Sequence, residues 1–362
     1  MQKQGLTRLA LQKFKKSFWG VFSFWFIIFL AFISVFAYVL APDDSQFANQ
    51  MHLSIHSKQP GFTVEMLVVP NTLKNDQSFL NRVFFGRTNP PSEIPIATYE
   101  SEPHQIKYVE YASEGLEGLE KIVNIPSDIQ ASLRPFVTQK TFYFGTDKYG
   151  RDLLSRILVG ARISFSIGFV AVFISLLIGI LMGSIAGYFG GKWDKLIMWI
   201  INVTWSIPTL LLVIAITLAL GKGFWQVFIA VGLTMWVEVA RIVRGQVMSV
   251  KEMQYVTAAR ALGYTDFRII LKHILPNILA PVIVISAANF AAAILIESGL
   301  SFLGIGAQPP MSSWGAMIKD HYNYIILGKP YLALIPGLCI MSLVMAFMLI
   351  GNSLRDALDV KS

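Results

Sequence analysis

Long apolar runs separated by short polar segments dominate this chain. Six of these runs approach or exceed the ~20 residues with which an α-helix crosses a bilayer. They predict transmembrane helices at residues 18–40, 163–189, 196–220, 224–240, 277–300 and 331–350. The pattern therefore predicts an all-α polytopic membrane protein with six transmembrane helices.

The composition supports this class. Hydrophobic residues occupy 54% of the 362 positions, charged residues occupy 14%, and the mean hydropathy is +0.56. Soluble globular domains carry about 25% charged residues. A large soluble protein with buried helices is disfavoured, because helices that are apolar on every face belong in membranes.

The first apolar run raises the question of a cleaved signal peptide. Its apolar region exceeds the roughly 7–15 residues of a signal-peptide core. Val39, Leu40 and Ala41 resemble a cleavage site, but Pro42 follows directly and is expected to block processing. We therefore predict an uncleaved signal anchor.

Basic residues predict the orientation of the helices, because short cytoplasmic loops are enriched in Lys and Arg. The short loop between the third and fourth runs has only Lys222, whereas the N-terminal tail and the alternate loops are basic. The basic residues are Lys3, Arg8, Lys13, Lys15, Lys16, Lys192, Lys195, Arg241, Arg244, Lys251, Arg260, Arg268, Lys272, Arg355 and Lys361. This asymmetry predicts that both termini are cytoplasmic. The net charge of +8 is thus a sign of topology, and we expect no binding of nucleic acid.

Between the first and second runs the composition becomes polar and more acidic. Alternating segments at residues 63–69 and 105–111 predict short strands, and Pro90 and Pro91 mark a turn. We expect a small mixed or β-containing extracytoplasmic insertion. The predicted domains are residues 1–41 (tail and first helix), 42–143 (insertion) and 144–362 (core with five transmembrane helices).

The polar segment at residues 251–276 interrupts the apolar runs with an amphipathic pattern. Residues 253–262 predict a short helix, and Gly263 suits the position after its end, where φ is positive. Thr265 can cap a second helix, whose first turn Asp266 favours. In that second helix, an apolar face is predicted to comprise Phe267, Ile270, Leu271 and Ile274.

Two interpretations of this segment stay open from periodicity alone. It could lie on lipid headgroups as an interfacial helix, or it could offer a surface to a soluble partner, since Ala258 and Ala259 permit close approach. Pro276 is expected to end the second helix or to kink it into the fifth transmembrane helix.

Charged residues near the ends of the apolar runs are the other candidates for chemistry. Asp147 and Asp152 are expected to cap and orient a helix that precedes the second run. Arg151, Arg156 and Arg162 predict that this helix is interfacial.

Two carboxylates lie within or at the end of apolar runs, where charge is costly and often functional. Glu238 lies one turn from Arg241, so an ion pair on the helix surface is expected. Glu297 lies at the outer end of the fifth run. It could therefore serve a function, although structural pairing is the favoured interpretation.

The chain contains no phosphate-binding loop of the G-x-x-x-x-G-K-[ST] type, so we do not expect it to bind ATP. A membrane-embedded hydrolase is disfavoured, because all histidines lie outside the apolar runs: His52, His56, His104, His273 and His321. A channel is disfavoured because it would leave the polar segment unexplained. Neither a metal nor another cofactor is expected in this chain.

The polar segment resembles the EAA loop of ABC-importer permeases, in which E-A-A is followed at fixed spacing by Gly and then I-x-L-P. Residues 257–259 (TAA), Gly263 and residues 273–276 (HILP) keep that spacing, with Thr257 in place of Glu and His273 in place of Ile. The resemblance implies that this loop couples the permease to an ATPase subunit. It assigns that role to five residues: Ala258, Ala259, Gly263, Leu275 and Pro276.

Three further motifs resemble C-type permeases of dipeptides and oligopeptides. They are FGTDKYGRD at residues 144–152, ESGLSFLGIG with QPP and SWG at residues 297–315, and GNSLRDALD at residues 351–359, where Asn352 replaces Asp. With the W…AR…VRG residues at 236–245, the resemblance covers about residues 144–360. The long insertion resembles the branch with an enlarged outer loop.

The resemblance implies a type I ABC-importer permease in a bacterial inner membrane. It implies a second, B-type permease, two ATPase subunits that bind ATP and Mg²⁺, and an extracytoplasmic binding protein that delivers a peptide. The chain itself is then a transport subunit rather than an enzyme, and Glu297 could face its translocation path. The same class of transporter carrying nickel or another small solute is the alternative.

Overall fold

The computed structural model describes residues 6–69, 77–101, 105–112, 118–124, 137–221 and 223–358. Its contacts divide the chain into two compact units. The helical unit comprises Met1–Ala31, Ser164–Gln308 and Leu338–Ser362, and the sheet unit comprises Phe32–Ile163 and Pro309–Gly337. The predicted boundaries at residues 41/42 and 143/144 stay predictions.

The described helices are α1 (Leu6–Lys16), α2 (Phe18–Val35), α3 (Ala37–Leu40), α4 (Phe79–Phe85), α5 (Leu153–Phe189), α6 (Gly191–Trp205), α7 (Thr209–Leu220), α8 (Phe224–Val250), α9 (Gln254–Ala261), α10 (Asp266–Ile269), α11 (Leu275–Phe302), α12 (Trp314–His321) and α13 (Tyr331–Leu358). The described strands are β1 (Phe62–Val69), β2 (Ser92–Ser101), β3 (Gln105–Glu110), β4 (Glu120–Asn124) and β5 (Val137–Phe142).

Five helical stretches of the described chain are long and apolar enough to cross a membrane: α2, α5, α8, the stretch Asp266–Phe302 that includes α10 and α11, and α13. A sixth span is broken. The predicted continuous helix at residues 196–220 is wrong, because α6 and α7 are bent by 93° relative to each other. The break precedes Pro208, whose ring fixes φ and which has no N–H to continue the helical ladder.

Glycine spacing positions α5 against α8 in the helical unit. Gly179, Gly183 and Gly187 recur every four residues on α5, which places them on one helix face. A Cβ added at any of them would lie between 2.5 and 2.8 Å from an atom of α8. The stripe therefore allows close packing of the two helices.

Antiparallel pairing builds the sheet unit around five strands in the order β4-β3-β2-β1-β5. Met66 and Leu67 of β1 are buried on opposite faces, with Phe142 and Ile96 respectively in their clusters. The strands expected at residues 63–69 and 105–111 are confirmed as β1 and β3. They form because Val, Ile and Tyr suit a pleated, half-buried surface.

Candidate functional site

The EAA-like segment begins where α8 ends and consists of two short helices joined by a glycine turn. Gly263 has φ +77°, which confirms the expected left-handed position, and its N–H donates to the Arg260 carbonyl at 3.0 Å. Thr265 then caps α10, because its hydroxyl accepts from the Arg268 N–H at 3.4 Å. The sequence therefore correctly located both helices and the turn.

A buried apolar cluster anchors this segment to the transmembrane helices. Val256 and Ala259 of α9 and Ile269 of α10 belong to one core that also contains Val243 of α8 and Ile278 of α11. All of these side chains are almost completely buried. Because the core is shared, a displacement of α9 or α10 is transmitted to α8 and α11 through direct packing.

Polar contacts tie the same segment to α5, and the preceding helix α8 to α6. The Tyr188 hydroxyl donates to Asp266 at 2.6 Å, and the Arg260 guanidinium lies 5.7 Å from the Tyr188 ring. Arg244 of α8 pairs with both carboxylate oxygens of Asp194 on α6, at 2.5 and 2.6 Å. Such bidentate pairs fix orientation as well as distance, so α8, from which the segment continues, is held in a defined position against α6.

The predicted apolar face of the second helix is wrong in part. Ile274 is buried, but Phe267 is 72% exposed and Leu271 is 44% exposed, while Ile269, outside the predicted face, is buried. Residues Ile270–Ile274 form a wider turn with i→i+5 hydrogen bonding, which shifts the helical phase relative to an ideal 3.6-residue repeat.

Pro276 lies in the first turn of α11, immediately after this wide turn. A proline is tolerated there because the N–H it lacks would otherwise need a partner. The helical stretch therefore continues from Asp266 to Phe302 rather than ending at Pro276. The segment is thus directly continuous with a membrane-spanning helix.

The five residues to which the resemblance assigned the coupling role occupy different environments. Ala258, Gly263 and Pro276 are exposed, and a Cβ at Gly263 would meet no atom within 4 Å. Ala259 is buried, and Leu275 is partly buried against the same cluster. The small size of Ala259 therefore serves packing within this chain. The accessible surface comprises Ala258, Gly263 and Pro276 together with Leu262, which is 73% exposed.

Glu297 lies on α11 and is 1% exposed. Its Oε1 accepts from the Ser301 hydroxyl at 2.6 Å, and the Ser301 oxygen accepts from the Ala307 N–H at 3.1 Å. A Cβ on Gly306 would collide with Ser301. This arrangement holds the turn after α11, and the role of Glu297 in a translocation path stays a prediction.

The expected ion pair between Glu238 and Arg241 is not formed within the described part of the chain. The Arg241 guanidinium instead lies 4.0 Å from the centre of the Trp205 ring, a cation–π contact with the end of α6. Glu238 is exposed and lines a cavity beside the break between α6 and α7. Sequence reasoning missed this cavity, for which Pro208 inside an apolar run was the available signal.

Asp147 and Asp152 orient the start of α5, as predicted. Asp152 accepts from the Ser155 N–H at 2.8 Å, and Asp147 accepts from the N–H groups of Tyr149 and Arg151 at 2.8 and 3.0 Å. The expectation of an interfacial helix stays a prediction, but Arg151 and Arg156, on which it rested, do not lie on the surface of this chain. Both are buried and pair with the Asp147 carboxylate, at 2.6 and 3.7 Å.

Two histidines, His52 and His321, are buried in the sheet unit. Burial, together with the nearby Lys140, lowers the pKa of His52 to about 4. Burial also lowers the pKa of His321, whose Nδ1 lies 2.7 Å from the Met317 carbonyl and whose Nε2 accepts from the Lys148 N–H. Across the described residues, no three or more His, Cys, Asp or Glu side chains are grouped so as to hold a metal ion.

Two stretches of this chain match known protein families. Residues 179–361 match the family model described as the binding-protein-dependent transport system inner membrane component, and residues 5–60 match the N-terminal transmembrane domain of oligopeptide transport permease C. The glutathione transport system permease protein GsiD of Escherichia coli is 43% identical over 219 residues, which are 60% of this chain and 72% of that protein.

The dipeptide transport system permease protein DppC of Alkalihalophilus pseudofirmus is 44% identical over the same length, with the same coverage. Among solved structures, an inward-facing MetNI methionine ABC transporter is 18% identical, with a TM-score of 0.47 over 56% of this chain and 95% of that chain. The chain belongs to the family of binding-protein-dependent transport system inner membrane components.

Proposed function

We propose that this chain is one of two permease subunits of an ATP-driven importer for peptides in a bacterial inner membrane. The EAA-like segment at residues 251–276 is the observation that carries the proposal. It exposes Leu262 and Phe267 to solvent while its inner face is packed on α8 and α11. A segment that is accessible on one side and continuous with a membrane helix on the other is suited to pass a push from a soluble partner into the membrane.

The energy then comes from separate subunits. Two ATPase subunits bind ATP and Mg²⁺, and each docks on such a segment of one permease. Closure of the ATPase pair displaces α9 and α10, and the shared core moves α8 and α11 with them. The cavity between this chain and a B-type permease turns outward, which is alternating access by movement of packed helices.

Peptides are the proposed cargo because the two relatives are named for dipeptide and glutathione transport, and glutathione is itself a tripeptide. A binding protein delivers the peptide from outside. The asymmetry of basic residues supports an orientation in which both termini and the EAA-like segment at residues 251–276 lie in the cytoplasm. Glu297 is proposed to border the path near its outer end.

Uptake by cells tests this function. Cells that lack the gene should lose uptake of a labelled dipeptide, and the intact gene should restore it. Competition with unlabelled dipeptides, tripeptides, longer peptides, glutathione and nickel then ranks the cargo. Gene-dependent uptake of labelled nickel, without gene-dependent uptake of the dipeptide, would replace peptides with a metal ion as the substrate.

We further propose that the insertion seats the binding protein. The first and last strand residues, Phe62 of β1 and Phe142 of β5, are paired across the sheet, so one short Gly–Ser linker can replace residues 62–142. This deletion keeps Asn49, which accepts from Arg151 at 2.9 Å. It should lower uptake while the complex still assembles, and normal uptake would refute the role.

A further inference from the structure

A cavity of about 180 Å³ with a mixed polar and apolar lining lies within the helical unit, beside the break between α6 and α7. Thr204 and Trp205 border it from the end of α6, and Thr209 borders it from the start of α7. Thr234 and Glu238 border it from α8, with apolar walls from α11. Half of the residues that surround it are therefore polar or amphipathic, although the helices themselves are strongly apolar.

Glu238 is the charged group of this cavity. It is exposed on α8, a membrane-spanning helix in which half of the other residues are buried. A carboxylate at membrane depth is costly unless it meets water, a cation or hydrogen-bond donors. Arg241 is occupied with Trp205 and forms no ion pair with Glu238 in the described part of the chain. The carboxylate thus faces the cavity with its charge available.

The hydroxyl groups around Glu238 are also oriented as acceptors. The Thr204 hydroxyl donates its proton to the Ile200 carbonyl at 2.9 Å, and the Thr234 hydroxyl donates to the Val231 carbonyl at 2.8 Å. Each hydroxyl has one proton and two lone pairs, so what remains for a ligand is an acceptor. A carboxylate and two hydroxyl oxygens suit a ligand with several N–H donors and a positive charge.

The broken helix is an independent observation at the same place. Non-helical backbone at membrane depth is tolerated where it is buried in protein or lines a water-filled cavity. Transporters place substrate sites at such discontinuous helices. The C-terminal end of α6 and the N-terminal end of α7 carry opposite partial charges beside this cavity. Their effects oppose each other, so Glu238 determines which ligand charge is preferred.

We infer that this cavity binds the primary ammonium group of the transported substrate, with Glu238 as its counter-ion and Thr204 and Thr234 as acceptors. The inference rests on the proposed function and identifies the amino terminus of a peptide as the recognised group. The cavity is smaller than the roughly 300–1,000 Å³ of sites that enclose drug-sized ligands. It therefore fits the first residue of a peptide and makes no contact with the remaining residues, which permits peptides of varied length and sequence.

Uptake of a matched pair of peptides tests the site in proteoliposomes that contain the complete transporter with its binding protein. The probes are trialanine and N-acetyl-trialanine, which lacks the ammonium group. Glu238→Gln is nearly isosteric and should lower trialanine uptake about tenfold or more, since a charge-assisted hydrogen bond is lost. Uptake of the acetylated peptide should change about twofold or less, and Glu238→Asp should restore most trialanine uptake.

Asp356→Asn is the matched control, because it neutralises an exposed carboxylate at the far end of α13. It should leave both uptake rates unchanged. Co-purification with the second permease accompanies each variant, and Glu238→Ala provides a second removal of the charge. Equal loss of both peptides, or no loss, would overturn the inference while the proposed function stands.

Loss of assembly in both Glu238→Gln and Glu238→Ala would also overturn the inference, because it would assign the carboxylate to an ion pair with the partner permease. A wild-type complex that imports neither peptide would overturn the proposed function, and this inference with it. The outcomes for the site and for the function are therefore distinguishable.

Discussion

Charged substitutions at Leu262 and Phe267 should detach the ATPase subunits while leaving the permease folded. Both side chains are more than 70% exposed in the isolated chain, so neither substitution disturbs its core. Complete burial of a Leu or Phe side chain contributes roughly 1.5–3 kcal/mol. Burying the exposed 70% on docking is therefore worth about 1–2 kcal/mol for each residue.

The double variant Leu262→Asp/Phe267→Asp should thus weaken docking by at least about 2–4 kcal/mol, or about 30-fold to 1,000-fold. The assay is co-purification of the ATPase subunits with the tagged permease, followed by ATP hydrolysis stimulated by the loaded binding protein. Leu119 and Tyr143 of the sheet unit are 66% and 64% exposed, so Leu119→Asp/Tyr143→Asp is a matched control for the co-purification assay. Unchanged co-purification and stimulation in the Leu262/Phe267 variant would refute the docking role.

Three further predictions concern stability. Gly183→Leu should lower the yield of folded protein, because a Cβ there would lie 2.5 Å from the Ala240 carbonyl oxygen. Gly245→Leu is the control: a Cβ there would meet no atom within 4 Å, so its melting temperature in detergent should be unchanged. The pKa of His52 is lowered to about 4 in the folded protein, so between pH 6.5 and 4 only the unfolded imidazole takes up a proton. The free energy of unfolding should therefore be about 2 kcal/mol lower at pH 5 than at neutral pH. Melting temperature should therefore fall from pH 7.5 to 5 less steeply in His52→Asn, and equal slopes would contradict this. Asp147→Asn should destabilise by about 3–5 kcal/mol, because it leaves two buried arginines without their carboxylate, and melting within about 2 °C of wild type would contradict it.

Much of the helical architecture could be predicted because its signals are local. Apolar runs identify membrane spans by length alone, and Gly263 and Thr265 identify a turn and a cap from the chemistry of single residues. The four-residue spacing of Gly179, Gly183 and Gly187 is likewise a local signal, because it places three small residues on one helix face whichever helix packs there. In each case the residues that carry the signal are near one another in the sequence.

The errors arose where distant residues decide the structure. Periodicity placed Phe267 inside because an ideal helix was assumed, whereas the wide turn before Pro276 changes the phase. Arg156 was interpreted as a sign of an interfacial helix, but inside the sheet unit its guanidinium forms an ion pair with Asp147 and donates to the Ala48 carbonyl. Such compensation of a buried charge depends on tertiary contacts that spacing does not encode.

The cavity beside Glu238 was missed for a related reason. The apolar run at residues 196–220 has the length of one span, and hydropathy averages over the single proline within it. Only the bend brings the end of α6 and the start of α7 to the same cavity as α8. Pro208 could have indicated a break, but not which polar side chains would meet there.

ATP-dependent peptide accumulation in proteoliposomes tests the central claim most directly. The liposomes contain this chain, its partner permease and the two ATPase subunits, with the binding protein outside and ATP inside. The account predicts accumulation of labelled trialanine against its gradient, which stops when ATP is replaced by a non-hydrolysable analogue or when the ATPase subunits are omitted. Accumulation that persists without ATP hydrolysis, or without the ATPase subunits, would contradict the claim that this chain is a permease driven by separate ATPases.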